Sequence, residues 1–499
     1  MKARRLPGAP WLRLDALALS AILVGAAVTR FVGLDLMEFK RDEAEAIRLA
    51  LHVLGYSEPG IGRFFPTAGL TSSVGIPNPP LFVYLIALPL AVVRSPLAAA
   101  GFVAASNVVA IWLTYLVGKR YYSTFVGIAS AALFALSPWG IVFSRKIWAQ
   151  AVLPIFATLF LLQLHAFLVE KRPRALCWLI ILAAAATQIH FSAWILAVVL
   201  IAAIVLGRRM IGWRWLALGL GGAALLYAPF LTYHARHAYD ALVAGPANGT
   251  PNAIDRFRTS VHYMLSISGG GDLSSLLGSQ SGLARPASLI LGPAAFLGLL
   301  TACRNWRSSQ LGQVRALLVV WYLLPLVVLT VLPAVIYIHY FIVLFPLPFL
   351  GMAYLIELLT KRQAVIGQLA LAACLCSFAL LDSQIYRTII HDGGAPGDYG
   401  VAYKYKTDAA AILERYNPNR KFKLGTDLDL APGEAVQEYN LLAWNAQPDD
   451  ARSKPAITGY VIINNMKGTP PLLAADPKRA SYRTQHLGPL VIVSIPLKK

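Results

Sequence analysis

The sequence predicts a polytopic α-helical membrane protein with about 11 to 13 transmembrane helices and a small C-terminal α/β soluble domain. Of the 499 residues, 57% are apolar and only 14% are charged, whereas an average globular protein has about 25% charged residues. Several apolar runs reach about 18 residues, which is enough to cross a hydrocarbon core about 30 Å thick. In residues 384–499, charged and turn-forming residues return to the levels of a soluble protein.

Apolar runs define the candidate spans. They lie at residues 14–34, 80–93, 97–117, 124–143, 149–169, 175–189, 191–206, 214–232, 286–303, 315–333, 338–359 and 363–382. The first run follows a basic start and exceeds the apolar core of a signal peptide, about 7 to 15 residues long, so we expect an uncleaved helix. Loop charges require an odd number of crossings within 79–118, where two short runs occur. Either one of these runs is a partial span or the runs omit one crossing.

The basic residues indicate which loops face the cytoplasm. Despite a net charge of +20, no basic face with interleaved aromatic residues appears, which excludes nucleic-acid binding. Lys and Arg instead gather in short loops between the runs, the pattern of cytoplasmic loops. This pattern predicts the following segments outside: 144–148, 190, 233–285, 334–340 and everything after 383.

Two domains are expected. Residues 1–383 would form the transmembrane domain, with outer loops at 35–78 and 233–285, and residues 384–499 a soluble extracytoplasmic domain. In the latter, "TDAAAILERY" (407–416) is typical of a helix, and "AITGYVIIN" (456–464) and "PLVIVSIPL" (489–497) are typical of strands.

The first outer loop contains a dense charge cluster, in "FVGLDLMEFKRDEAEAIRLALHVLGY" (31–56). The apolar residues Ile47, Ala50, Leu51 and Leu54 follow helical spacing, which predicts an amphipathic interfacial helix over 43–55. Two interpretations of the acidic residue at its start, Asp42, remain open. It caps the helix together with Glu45 three residues later, or it is a general base at the membrane–water boundary.

Further polar residues occur where apolar runs break. Asn78 precedes a run that begins with two prolines, and Arg145 and Lys146 lie in a turn that is predicted outside, against the positive-inside trend. His190, His339 and Tyr340 lie at other predicted outer breaks. Each of these residues has an alternative interpretation. Arg145 could anchor a lipid headgroup, His190 could be a hydrogen-bonded core residue, and His339 with Tyr340 could form an interfacial aromatic belt.

With these motifs in order, the sequence resembles the integral-membrane GT-C glycosyltransferases, in particular the branch of bacterial aminoarabinose transferases and protein O-mannosyltransferases. The residues that carry the resemblance are Asp42-Glu43-Ala44, Asn78-Pro79-Pro80-Leu81, Ser137-Pro138, Ser144-Arg145, Gln188-Ile189-His190, and His339-Tyr340 with Pro346. They cover most of residues 1–382. The chain departs from the aminoarabinose-transferase pattern at Glu45, where a basic residue is usual, and at Pro77-Asn78, where an acidic–basic pair is usual. These departures leave the donor sugar and the acceptor open.

The resemblance implies a multi-pass protein of the bacterial inner membrane, with a GT-C-like transmembrane domain and an extracytoplasmic active site. It implies sugar transfer from a polyprenyl-phosphate donor to a lipid, glycan or protein acceptor. Asp42 would be the base, with Glu43 beside it. Candidates for binding the donor phosphate are Arg145, Lys146, Arg41 and Arg63. Candidates for binding substrate are Asn78, His190, His339, Tyr340, Tyr337 and His262.

No cofactor is predicted. A divalent cation could neutralise the donor phosphate, but no residues with suitable ligand spacing stand out in the sequence. Two other classes of function remain open, a transporter or flippase and a non-catalytic subunit for cell-envelope polysaccharide assembly. The spans are nearly free of acidic residues, which argues against an ion-coupled carrier.

Overall fold

A computed structural model describes residues 10–56, 63–71, 77–243, 251–278, 282–416, 422–426, 458–464, 478 and 481–496. The basic N-terminal start and parts of the two predicted outer loops, residues 57–62, 72–76, 244–250 and 279–281, lie outside the described residues.

The described chain is mostly helical. Its α-helices are α1 Pro10–Phe31, α2 Arg41–Val53, α3 Leu81–Val92, α4 Pro96–Tyr121, α5 Thr124–Ala135, α6 Pro138–Ser144, α7 Leu153–Leu168, α8 Ala175–Ile189, α9 Trp194–Leu206, α10 Trp213–Val243, α11 Ala253–Gly269, α12 Leu273–Leu277, α13 Ala284–Ala302, α14 Gln310–Val331, α15 Leu347–Arg362, α16 Ala364–Asp392 and α17 Tyr403–Tyr416. Short 3-10 turns lie at Leu34–Leu36, Ala149–Val152, Phe191–Ala193, Arg208–Met210 and Ile338–Leu344.

Serine residues start several of these helices. The hydroxyls of Ser95, Ser123 and Ser137 each accept a hydrogen bond from a backbone N–H in the first turn of α4, α5 and α6. Each bond satisfies one of the donors that a helix start leaves without an intrahelical partner. Proline follows Ser95 and Ser137 at the first helical position, where its missing N–H costs nothing.

The membrane-protein fold class is confirmed. In the described part of the chain, seven helices are long and apolar enough to cross a membrane, or up to nine if each of two bent pairs is one span. Three shorter apolar helices, α3, α8 and the segment Phe191–Leu206, account for the other predicted runs. Because α3 has only 12 residues, or about 18 Å at 1.5 Å per residue, it cannot cross the hydrocarbon core alone. Within 79–118, α4 alone therefore has the length of a span.

The predicted outer breaks meet at one end of the bundle. The rings of Trp148 and His339 are 5.0 Å apart, and the Asp398 backbone N–H donates to the Ser275 carbonyl at 2.8 Å. At the basic end, the Arg315 guanidinium donates to the Tyr121 carbonyl at 3.0 Å. This grouping agrees with the loop assignment made from charge.

The C-terminal region contains a small sheet. Strands β1 Gly394–Ala395 and β2 Gly400–Val401 form an antiparallel pair. A second sheet has the order β3 Phe422–Thr426, β4 Thr458–Asn464, β6 Leu490–Pro496, β5 Arg483–Leu487, and in it only the β3–β4 pair is parallel.

Helix α17 packs on this sheet through Ala409 and Leu413, which form a core with Leu490 and Ile492 of β6. The predicted helix and strands coincide with α17, β4 and β6. The domain boundary expected at 383 falls inside α16, which continues to Asp392.

Candidate active site

Two cavities lie at the end of the bundle where the outer breaks meet. The first, here called the Asp42 cavity, has a volume of about 100 Å³. It is lined by Asp42, Gly69, Leu70, Thr71, Asn78, Pro79, Phe82, Val83, Ile147, Trp148, Ala149, Gln150, Ile189, His190 and His339. It thus brings together the acidic loop, the Asn-Pro-Pro entry and three of the breaks between apolar runs.

Asp42 faces this cavity from the first turn of α2. Its side chain is accessible, yet desolvation raises the pKa of its carboxyl above the ordinary value, against the opposing charges of Arg41 and Lys146. A carboxylate with a raised pKa is a better proton acceptor than an ordinary aspartate.

The capping box predicted at Asp42 and Glu45 was wrong, because the capping box forms at Lys40 and Glu43. The residue before α2 is Lys40, and its backbone N–H donates to the Glu43 carboxylate at 2.9 Å. Glu45 instead pairs with Arg48. With Asp42 as the cap, the helix would start at Glu43, but it starts at Arg41, two residues earlier. The side chain of Asp42 therefore does not cap the helix and lines the Asp42 cavity instead.

The side chain of Glu43 lies on the buried side of α2 and not in a cavity. It is fully buried, and desolvation and the nearby Glu38 carboxylate raise its pKa to about 7. One of its oxygens, Oε1, has no hydrogen-bond partner among the described residues. Glu43 is absent from the described lining of both cavities, so the geometry gives no support to its predicted catalytic role.

The second cavity, here called the apolar cavity, has a volume of about 220 Å³. It lies between α1, α6 and α16 and is lined by Val28, Thr29, Val32, Gly33, Leu36, Glu38, Ile141, Val142, Arg145, Lys146, Ile385, Tyr386, Ile389, Ile390 and Tyr399. Val28, Val32 and Ile390 are exposed, so the cavity reaches the apolar side surface of the bundle. Charged groups are confined to one end, at Glu38, Arg145 and Lys146.

Arg145 has a structural role that the sequence did not suggest. Its Nη1 lies 3.2 Å from the carbonyl oxygens of Thr29 and Arg30 and 2.9 Å from that of Val32, and its Nη2 donates to the Gly33 carbonyl. The guanidinium thus satisfies the carbonyls at the C-terminal end of α1. Its terminal nitrogens are therefore engaged with backbone carbonyls, and the predicted binding of the donor phosphate by Arg145 stays a prediction.

Lys146 belongs to an ion-pair cluster centred on Glu38, which sequence analysis missed. Glu38 is 2% exposed and pairs with the ammonium groups of Lys146 and of Lys40, the latter at 2.8 Å. Desolvation would raise the pKa of Glu38, but the two lysines keep that pKa below its ordinary value. One pattern in the sequence could have indicated this cluster. Glu38, Phe39 and Lys40 alternate between charged and apolar residues, so that Glu38 and Lys40 point to the same side, as in a strand.

The C-terminal region holds this segment in place. The Tyr399 hydroxyl donates to the Leu36 carbonyl at 2.5 Å, and the Tyr403 backbone N–H donates to the Met37 carbonyl at 2.9 Å. Lys406 is buried and donates to the Phe39 carbonyl. Residues 36–39 are therefore fixed by the chain that follows α16.

The side chain of Lys146 lies between the two cavities. It lines the apolar cavity, while its Nζ is 4.0 Å from the ring centroid of Trp148, which lines the Asp42 cavity. Desolvation raises the pKa of Asp42, and the charge of Lys146 opposes this rise. One ammonium group therefore acts electrostatically on both cavities.

Aromatic and histidine side chains form one wall of the Asp42 cavity. His190 is 1% exposed, and its Nδ1 accepts from the Ser192 backbone N–H at 3.2 Å, so the neutral imidazole carries its proton on Nε2. Burial and the neighbouring His339 lower the pKa of His190 well below its ordinary value. Tyr337 stacks on His339 at 5.5 Å. Tyr340 is buried behind the wall, 5.7 Å from the His190 ring.

The remaining predicted site residues differ in how close they lie to the Asp42 cavity. The Asn78 side chain donates to the Leu70 carbonyl at 3.2 Å and lines the Asp42 cavity. Arg63 donates to the carbonyl of Val53, the last residue of α2, which is about 16 Å along the helix from Asp42 at 1.5 Å per residue. Arg63 is thus remote from Asp42.

Arg41 and His262 lie outside the described lining of both cavities. Arg41 is exposed at the start of α2, and His262 lies 3.5 Å from the Asp272 carboxylate. No group of three or more His, Cys, Asp or Glu side chains that could hold a metal ion occurs within the described ranges.

Comparison with known proteins gives a family match and a fold match. Residues 77–233 match the family model described as dolichyl-phosphate-mannose-protein mannosyltransferase. This region contains Asn78, Lys146 and His190 but not Asp42. A search of curated proteins by sequence finds no match.

Several solved structures have a similar fold. ArnT from Cupriavidus metallidurans bound to undecaprenyl phosphate matches with a TM-score of 0.56 and 12% identity over 98% of each chain. Its apo state matches with 0.55 and 13% over 97% of each chain. The archaeal oligosaccharyltransferase AglB from Archaeoglobus fulgidus, in complex with an inhibitory peptide and a dolichol-phosphate, matches with 0.50 and 12% over 91% of this chain and 70% of that chain. The resemblance predicted from the sequence is confirmed: the chain has the GT-C fold, and part of it matches the dolichyl-phosphate-mannose-protein mannosyltransferase family.

Proposed function

We propose that the protein is a glycosyltransferase that moves a sugar from a polyprenyl-phosphate donor to an acceptor hydroxyl, with inversion at the anomeric carbon. One observation carries the proposal. A carboxylate, Asp42, and an ammonium group, that of Lys146, lie on neighbouring cavities. One cavity has several polar side chains in its lining, and the other is mostly apolar with an opening at the side of the helical bundle.

The two cavities suit the two halves of the reaction. The acceptor hydroxyl, in the Asp42 cavity, attacks the anomeric carbon and gives its proton to Asp42. The bond between the anomeric carbon and the phosphate oxygen breaks, and the phosphate leaves with the electron pair. The cation at Lys146 stabilises the charge that develops on the leaving phosphate.

The apolar cavity is a suitable place for the start of the polyprenyl chain. Its wall is formed by aliphatic side chains of α1 and α16, and its charged end lies beside Lys146. A lipid that enters from the bilayer through the exposed face of Val32 and Ile390 would bring its phosphate toward the cations. The fold likeness to a protein bound to undecaprenyl phosphate supports this assignment of lipid class.

The grouping of the outer breaks supports a site on the extracytoplasmic side of a bacterial inner membrane. Both cavities lie at the end opposite the basic loops, which the positive-inside rule assigns to the cytoplasm. The acceptor would enter the Asp42 cavity past Asn78 and the histidine wall.

The experiment is to incubate the purified protein with a panel of radiolabelled polyprenyl-phosphate sugars and to measure sugar release and transfer. We expect turnover of at least one donor, with a product of opposite anomeric configuration by NMR. Asp42→Asn should lower turnover by about 100-fold or more, the usual contribution of a general base, while donor binding persists.

Glu45→Gln is the matched control, since it neutralises another carboxylate on α2 that pairs with Arg48 and lies outside the described cavity linings. It should leave turnover near the wild-type rate. Full turnover by Asp42→Asn would remove Asp42 from the mechanism. A wild-type protein that neither binds nor cleaves any donor would refute the glycosyltransferase assignment itself.

A further inference from the structure

Glu38 is an unexpected neighbour for a phosphate site. It lines the apolar cavity, it is 2% exposed, and it pairs with Lys146, the cation that faces both cavities. A buried carboxylate at that position repels an incoming anion. A site selected only for tight phosphate binding would not contain it.

The proposed reaction changes the charge of the lipid phosphate, and this change suggests a role for the Glu38 carboxylate. The donor is a phosphate diester with one negative charge. Once the bond to the sugar breaks, the lipid product is a phosphate monoester, whose second pKa is about 6, so its charge at pH 8 is close to −2. The cations that bind the donor therefore bind the product more tightly, and the product would occupy the cavity after each turnover.

We propose that Glu38 promotes release of the polyprenyl-phosphate product, because it competes with the product phosphate for the Lys146 ammonium. This inference rests on the proposed function. When the donor is bound, Lys146 and Glu38 face a phosphate with a single negative charge. After transfer, the same carboxylate faces a doubly charged phosphate, and the repulsion is about twice as large.

Lys40 keeps Glu38 ionised during this exchange. It pairs with Glu38 at 2.8 Å, so Glu38 retains one partner when Lys146 turns toward a phosphate. The remaining charged group at this end of the cavity, Arg145, stays engaged with the carbonyls at the end of α1. Lys146 is therefore the cation whose partner changes.

The test compares equilibrium binding of undecaprenyl phosphate and of its singly charged methyl ester to the purified full-length protein at pH 8. Glu38→Gln should bind undecaprenyl phosphate about tenfold more tightly than the wild type and should bind the methyl ester with a smaller gain. In the transfer assay, the same variant should have a lower KM and a lower kcat, because release becomes slower.

Two further variants keep the test decisive. Glu38→Asp retains the charge and should keep wild-type affinities. If Glu38→Gln does not fold, Glu38→Gln combined with Lys146→Met removes both members of the buried pair, a change that proteins often tolerate. It should bind the monoester and the methyl ester with similar affinity.

The outcomes separate the two proposals. If Glu38 is merely structural, Glu38→Gln weakens binding of both lipids or leaves both unchanged, and the release role is refuted. If the folded double variant still prefers the monoester, the release role is likewise refuted. If the wild type binds neither lipid, the proposed function fails, whatever the behaviour of the Glu38 variants.

Discussion

The contrast between Arg145 and Lys146 is the most informative result at the scale of single residues. Two adjacent cations in one turn point to different partners: Arg145 to the carbonyls that end α1, and Lys146 to the carboxylate of Glu38. Arginine suits several carbonyl oxygens at once because its guanidinium offers five donors in a plane. Lysine offers a single compact charge, which changes partners more readily.

The first prediction concerns Arg145. Arg145→Gln should destabilise the protein by at least about 1.5 kcal/mol, since buried carbonyls lose charge-assisted hydrogen bonds. The affinity for undecaprenyl phosphate should change little. Thermal unfolding in detergent and lipid binding measure the two quantities separately.

Arg387→Gln is the control, because Arg387 is an exposed arginine of the neighbouring helix α16. It should change neither quantity. If Arg145→Gln instead keeps its unfolding temperature and loses lipid binding, then Arg145 serves the phosphate and the helix-end role is wrong.

At this scale the sequence identified candidate groups but not their partners. Polar residues at breaks between apolar runs selected Asp42, Asn78, His190 and His339, which line one cavity. Arg145 could not be interpreted in the same way, because its acceptors lie more than 110 positions earlier in the chain. Glu38 was missed because its ion-pair partner, Lys146, is also distant in the sequence.

At the scale of elements, hydrophobic runs predicted the helices well. Every predicted run has a helical counterpart, often within a few residues. The breaks within runs were less visible: 124–143 is bent by 61° between α5 and α6, and 338–359 is bent by 58° before α15. Apolarity alone does not record a bend, whereas Ser-Pro at 137–138 and Phe-Pro at 345–346 do.

Close helix packing gives a prediction for α13 and α15. A Cβ atom added to Gly298 would lie 1.8 Å from the Gly351 carbonyl oxygen, so the two backbones touch where neither residue has a side chain. Gly298→Ala should separate the helices and destabilise the protein by about 1 to 3 kcal/mol, the usual cost of overpacking. Thermal unfolding in detergent measures this cost.

Gly221→Ala in α10 is the matched control. A Cβ there would meet no atom within 4 Å among the described residues, and alanine favours a helix over glycine by about 1 kcal/mol. The variant should unfold at the wild-type temperature or slightly above it. Equal losses in the two variants would mean that the packing of α13 on α15 is not what Gly298 provides.

At the scale of the whole molecule, the site depends on parts of the chain that are distant in sequence. The first loop provides Asp42 and Glu38, the break after α6 provides Lys146, and the region after α16 fixes residues 36–39. A composition shift predicted that region as a separate soluble domain. Its contacts with the first loop could not be predicted, because backbone carbonyls accept most of these hydrogen bonds and leave no sequence pattern.

The last prediction tests whether the C-terminal region holds the first loop in place. Lys406 is 3% exposed and donates to the Phe39 carbonyl, next to Glu38 in the chain. Lys406→Met keeps the length of the side chain and removes the donor, so residues 36–40 should open more often. Hydrogen–deuterium exchange of peptides that cover 34–44 should rise, and kcat should fall because Glu38 and Lys146 no longer stay aligned.

Lys404→Met provides the comparison on the same helix. Lys404 is exposed and pairs with Asp408 of α17, so its loss should leave both the exchange of 34–44 and the turnover unchanged. Faster exchange in Lys406→Met with normal turnover would mean that α17 holds the first loop but that other contacts keep Glu38 in position. Unchanged exchange would mean that the C-terminal region does not restrain the first loop. The role of the C-terminal region would then be to bind the acceptor.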